Sequence, residues 1–324
     1  MVQGSTADPD RLGDHVPALV AAFDLGSSGQ LSDGPVASGR LGSIWRLDTD
    51  DRAWAVKQVG DVDSDELAEI LDGAAFQEAA LAAGISTPEV RRTPAGELIA
   101  DVGGFHVRLH AWVDLEEPDV NLDAVELGQM VAALHRVAFT GTIGPDPWYS
   151  EPVGAGRWSE LVTTLRARHA PFADELDALV PELVALEGYL GGSPRALRTC
   201  HRDLWADNLR RTRDGGLCVF DFDNAGLNDP SQELALVLVE YATADPRRAP
   251  LIQAAYREAG GPGRVERPTD FATPIAQLAH IAQEGCRRWL IATTDAARAD
   301  NEGWVREFLD RPLTRGVIAA LLAA

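Results

Sequence analysis

His201-Arg202-Asp203-Leu204-Trp205-Ala206-Asp207-Asn208 and, thirteen residues past Asn208, the Asp221 of Val219-Phe220-Asp221-Phe222-Asp223 govern the reading of this sequence. The first stretch has the form H-R-D-x-x-x-x-N. Five residues from Asp203 to Asn208 let one tight loop aim a carboxylate and an amide into the same space. The segments 209–212 and 217–221 predict a hairpin around Asp214-Gly215-Gly216. That hairpin returns the chain beside the loop, so Asp221 arrives next to Asn208, where one metal ion sees both. Phosphoryl transfer needs such parts: a carboxylate for the attacking hydroxyl, and oxygens that hold Mg²⁺.

Upstream, the chain uses 28 arginines and a single lysine, Lys57. An ammonium is a compact point charge on a thin stem, whereas guanidinium is a planar fork. Trp54-Ala55-Val56-Lys57-Gln58-Val59 alternates like a strand. It is expected to be the third, after a turn at Gly39-x-x-Gly42 that leaves Ser43 near a bound phosphate. Ser64 is the expected N-cap of a helix reaching about Ala83 and stopped by Gly84, with Glu78 placed to pair with Lys57. Short strands are expected over 89–92, 98–102 and 105–113, and mostly helices after Asp114. The expected class is α+β and bilobal. Residues 1–113 form a small antiparallel-sheet lobe that binds nucleotide. Residues 114–324 form a larger, mainly helical lobe for catalysis and substrate, with a connector near 110–114.

In these motifs the chain resembles the aminoglycoside phosphotransferase-like family of small-molecule kinases, which share the protein-kinase fold. The resemblance runs from about Val36 to the C-terminal helices. H-R-D-L-W-A-D-N and V-F-D-F-D-N-A-G carry most of it. Leu127-Gly128 with Leu134-His135, and Asp229-Pro230 with Glu233-Leu234-Ala235, add to it. It implies Asp203 as catalytic base, Asn208 and Asp221 as Mg²⁺ ligands, and Lys57, held by Glu78, on the ATP phosphates. The adenine edge would be read by backbone near His110 and Val113, Trp205 would face substrate, and Asp223 would either assist Asp221 or face substrate. Glu233 stands where the family often has aspartate. The chain has D-F-D where protein kinases have D-F-G and shows no A-P-E-type segment, which favours a small substrate over a protein. Neither G-x-G-x-x-G nor a Walker A loop occurs, since the only lysine is followed by Gln58.

The implied activity is ATP- and Mg²⁺-dependent phosphorylation of a hydroxyl on a small polar, amine-bearing molecule. The same motifs serve metabolic kinases of choline, an amino sugar or homoserine. A nucleotide-binding module without catalysis is the contrasting class. The net charge of −21 argues against nucleic acid as partner and suits a cationic small molecule or plain solubility. Cys200, Cys218 and Cys286 are too scattered for a disulfide framework or a zinc site. No run approaches the roughly 20 apolar residues of a membrane span. The N-terminal residues carry acids where a signal peptide carries bases. Both points lead to the expectation of a cytoplasmic protein with no membrane partner.

Overall fold

The computed structural model describes residues 9–39, 42–60, 62–192 and 195–324. They separate into two compact units, one up to Pro118 plus Asn208–Ala225, the other Asp119–Asp207 plus Gly226–Ala324. Residues 208–225 thus group with the first unit although they are flanked in sequence by residues of the second.

The first unit opens with a 3-10 turn, Pro9–His15, and α1 (Val16–Ala22). An antiparallel sheet follows: β1 (Gly29–Leu31), β2 (Ala37–Gly39), β3 (Gly42–Thr49), β4 (Ala53–Val59), β5 (Val90–Arg91), β6 (Ala100–Val102) and β7 (Phe105–Ala111). Its strand order is β1-β3-β4-β7-β5, with β2 on β3 and β6 on β7. β1 was not expected: three residues inside a Gly/Ser-rich stretch carry no alternation, yet Gly29 to Leu31 pair with Thr49 to Leu47. Lys57 therefore lies on the fourth strand. Arg40 and Leu41, inside the expected glycine turn, lie outside the described residues.

Alternation along β4 buries Trp54 and Val56 with Trp45, Leu47, Val107, Leu109 and the α1 residues Leu19 and Val20. Lys57 takes the opposite face, in register with Arg108 of β7. α2 (Ser64–Ala82) follows β4. Its cap is Asp63, not Ser64. The Asp63 carboxylate accepts from the N–H groups of Asp65 and Glu66, and the Glu66 carboxylate accepts from the Asp63 N–H, a reciprocal box. Ile70 and Ala74 turn inward against Val59.

The second unit is helical: α3 (Ala124–His135), α4 (Ala155–Ala167), α5 (Ala173–Glu187), α6 (Pro230–Ala242), α7 (Arg248–Glu258), α8 (Ala272–Ile291), α9 (Asp295–Asp310) and α10 (Arg315–Ala323). Asp123 and Asp229 cap α3 and α6, and Pro230 occupies the first turn of α6, where no N–H is needed. α6 is buried almost all round, Leu234 to Leu238 included. A core of Trp158, Leu165, Phe172, Leu176, Ala282 and Trp289 joins α4, α5 and α8. One short strand pair, Arg198–Cys200 with Gly226–Asn228, brackets residues 201–225. Among the described residues no helix is long and apolar enough to cross a membrane.

Candidate active site

The first unit holds the lysine and the two acidic positions of D-F-D. Lys57 Nζ donates to Asp221 Oδ1 at 3.0 Å and to Asp223 Oδ2 at 2.6 Å. The side chain of Asp223 is 7% exposed and that of Asp221 40% exposed, so Asp223 is interior and Asp221 faces outward. Asp223 also accepts from the buried Arg108 guanidinium. Burial alone would raise the Asp223 pKa; the charges of Lys57 and Arg108 and their hydrogen bonds outweigh it and hold the carboxyl well below the usual carboxylate range. Asp223, expected against substrate, is instead the counter-ion of two cations.

Asp221 takes a left-handed backbone, φ 61° and ψ 66°, which is costly for a residue with a Cβ. Packing imposes it. Phe222 is buried edge-on against Phe76 of α2 at 5.5 Å. The Phe222 carbonyl lies so close to Gly73 that a Cβ there would overlap it. The expected hairpin forms from Leu209–Arg211 and Leu217–Val219. Past its end the Phe220 N–H donates to the Asn208 carbonyl at 3.1 Å. Asn208 is thereby tied, backbone to backbone, to the residue that precedes Asp221.

Glu78 is not brought to Lys57. Its carboxylate takes Arg92 in a two-point pair, 2.7 and 2.9 Å. The reason is helical phase: at about 100° per residue Glu78 sits roughly 140° round α2 from Gly73, the residue that touches the 222–223 turn. Asp72, the buried acid beside Gly73, lies nearer that face. Ser43 is half-buried near the start of β3. His110 and Val113 lie at the end of β7 and just beyond it. The Ala111 and Trp112 N–H groups go to the Glu89 and Ala53 carbonyls; the Val113 N–H has no backbone acceptor among the described residues. Burial and the Arg108 charge push the pKa of His110 down to about 3, so its imidazole is neutral at ordinary pH.

The second unit holds the loop. Arg202 is left-handed at φ 64° and buried. Its guanidinium lies over the Tyr149 ring, 4.5 Å from the centroid. Glu233 of α6 is wholly buried and accepts from the Arg202 N–H and, at 3.3 Å, the His201 N–H. His135 Nε2 donates to Glu233 at 2.6 Å, and His135 Nδ1 meets the Tyr256 hydroxyl at 2.7 Å. Burial would raise the Glu233 pKa; the His135 hydrogen bond, the histidine charges and the Arg202 N–H bring it below the usual value. Glu233 therefore braces the loop through its backbone N–H groups. Cys200 joins His135 and Glu233 in a buried cluster with three metal-type ligands, but burial and the Glu233 charge push its thiol well above the ordinary value. With His135 and Glu233 already bonded to each other, the cluster is a brace. Asp203 is half-buried and its Oδ1 accepts from Gln277 Nε2 at 3.1 Å. Trp205, two residues on, is half-buried.

Sequence reasoning missed Arg108 and Gln277. Arg108 is one arginine among 28, and only the strand register singles it out. Gln277 lies 74 residues from Asp203 and belongs to no motif.

A twisted antiparallel sheet carrying one lysine, a helix packed on a D-F-D turn and a braced H-R-D loop together define the protein-kinase-like fold. The chain belongs to the phosphotransferase enzyme family, whose model matches residues 34–267. It is a small-molecule phosphotransferase. Among solved structures it is similar to a spectinomycin phosphotransferase in complex with ADP and spectinomycin, with a TM-score of 0.63 and 12% identity over 91% of this chain and 92% of that one. A microcompartment-associated aminopropanol kinase gives a TM-score of 0.56 at 17% identity over 94% and 98%. A choline/ethanolamine kinase family protein from Mesorhizobium loti gives 0.55 at 16% over 96% and 99%. A search of curated protein sequences finds no match.

Proposed function

We propose that the protein transfers the γ-phosphoryl group of ATP, with Mg²⁺, to a hydroxyl of a small polar, amine-bearing molecule. The observation that carries this reading is the meeting of Lys57 with Asp221, 3.0 Å apart, beside Asn208 in a chain of the phosphotransferase family. Asp221 and Asn208 offer a hard, all-oxygen donor set of the kind Mg²⁺ prefers. Asp221 is also exposed enough to receive an ion. When bound, the metal neutralises charge on the phosphates.

The chain's own residues do the rest. Lys57, released from Asp221, holds phosphate oxygens while Asp223 stays with Arg108. The backbone around Val113 offers an N–H to an adenine edge. Asp203 orients the acceptor hydroxyl and takes its proton. Trp205, half-buried near that carboxylate in sequence, is the proposed substrate-side surface. Catalysis is mainly positioning and charge stabilisation. The amine preference is supported by the net charge of −21 and by the similarity to a spectinomycin phosphotransferase, an aminopropanol kinase and a choline/ethanolamine kinase family protein.

The test is a turnover screen with Mg·ATP against spectinomycin, choline and 1-aminopropan-2-ol, run beside thermal shifts with Mg·ADP. Asp203→Asn is expected to keep the nucleotide-induced shift and to lose about 10²–10⁴-fold in turnover. Wild-type turnover by that variant would dismiss Asp203 as base. Nucleotide binding with no transfer in a broad acceptor screen would favour the module without catalysis.

A further inference from the structure

Gln277 sits in the second turn of α8 and is 2% exposed. Its side chain makes one hydrogen bond, from Nε2 to Asp203 Oδ1. The amide orientation is not arbitrary, because turning it over would set oxygen against carboxylate oxygen. Its Oε1 is buried and has no hydrogen-bond partner among the described residues. The nearest polar group one turn back, Thr273, is already engaged: it accepts from Asn228 Nδ2 at 2.9 Å and donates to Gln232 Oε1 at 3.0 Å.

A buried amide with an orphaned oxygen is disfavoured, since that oxygen has given up water and gained nothing. An unbranched apolar side chain of the same length would fill the space without that loss. The group that gains from glutamine here is Asp203. The donor comes from a 20-residue helix, anchored near its start by the Asn228–Thr273–Gln232 chain. A side chain on so rigid an element can hold a loop carboxylate to one orientation, and phosphoryl transfer is sensitive to such placement.

We infer that Gln277 is a positioning residue for phosphoryl transfer, fixing the orientation of the Asp203 carboxylate through its amide N–H. The inference rests on the proposed role of Asp203 as base, and the experiment separates the two.

Gln277→Met keeps length and packing and removes both polar atoms; Gln277→Leu is the second variant. Asp203 is titrated by carboxyl-carbon NMR in aspartate-labelled protein, its signal assigned by its loss in Asp203→Asn. No substrate is needed for that reading. Loss of one N–H donor is expected to raise the Asp203 midpoint by about one pH unit. The unfolding temperature should hold or rise, because the orphaned oxygen is gone. On any of the three acceptors that wild type phosphorylates, kcat is expected to fall about 10–100-fold with KM for ATP unchanged. An unmoved midpoint overturns the inference, as does a moved midpoint with wild-type kcat. If Asp203→Asn is inactive in those cases, the base reading survives alone. Wild-type kcat in Asp203→Asn removes both. If none of the three acceptors is phosphorylated, the midpoint decides.

Discussion

Asp223 and His110 both answer to Arg108, and both make the fold sensitive to acid. The folded Asp223 carboxyl titrates below its unfolded value of about 3.9. Its contribution is complete above that value and is lost as pH falls through and below it. His110 titrates at about 3 when folded against 6.5 when free. Between those values the unfolded chain binds a proton the native chain refuses, so stability falls as pH drops from 6.5 toward 3. The unfolding temperature should therefore begin to fall below pH 6.5. His110→Gln should flatten the part between 6.5 and about 4 and leave the steeper acid limb. Identical pH profiles for the variant and wild type would show that His110 takes its proton freely in the fold. At this scale, Lys57 was legible because a lone lysine stands out, and Asp221 because its spacing from Asn208 fits a hairpin. Arg108 was not legible, because its meaning is a register with Lys57. Glu78 was misread because a helix's phase against a turn is a tertiary fact; its acid meets Arg92, just past β5.

α2 is the element on which the geometry around Asp221 turns. Gly73 lets it approach the Phe222 carbonyl, Phe76 packs edge-on against the Phe222 ring, and the pair holds Asp221 in its left-handed backbone. Gly73→Ala must therefore push α2 or the 222–224 turn aside. Helix propensity favours alanine by roughly 1 kcal/mol. Overpacking against an immovable carbonyl costs about 1–3 kcal/mol, so the net effect is expected to be destabilising. Turnover should fall further than stability, because Asp221 is displaced directly. Denaturant unfolding alongside turnover checks this, and a variant as stable and active as wild type would show that the approach is slack. The mainly helical character after Asp114 was legible, since apolar periodicity is a local signal, whereas the caps at Asp63, Asp123 and Asp229 are read from the structure. The short strands at Gly29–Leu31 and Gly226–Asn228 were not, since three residues hold no pattern and exist only through their partners.

Across the whole molecule, the division into sheet-bearing and helical parts follows from composition along the chain, but the hairpin 208–225 does not follow it. A backbone bridge between Leu115 and Thr212, the Val219 N–H on the Ser86 carbonyl and the burial of Phe222 against α2 draw that segment into the first unit. Asp203 and Asn208 thus belong to different units although only four residues lie between them. The net charge of −21 is also a property of the whole molecule. If it serves only solubility, ionic strength should affect cationic and neutral acceptors alike. If it draws an amine-bearing acceptor, the field acts over distances near the Debye length, about 10 Å at 0.1 M salt. Raising salt then lowers kcat/KM for the cation by slowing its encounter, while a neutral hydroxyl acceptor of similar size is spared. Competition of salt with ATP phosphates enters both measurements equally when Mg·ATP is saturating, so the ratio of the two constants isolates the acceptor. That ratio is expected to fall several-fold from low salt to about 0.2 M. A constant ratio would assign the charge to solubility and leave any amine preference to short-range contacts.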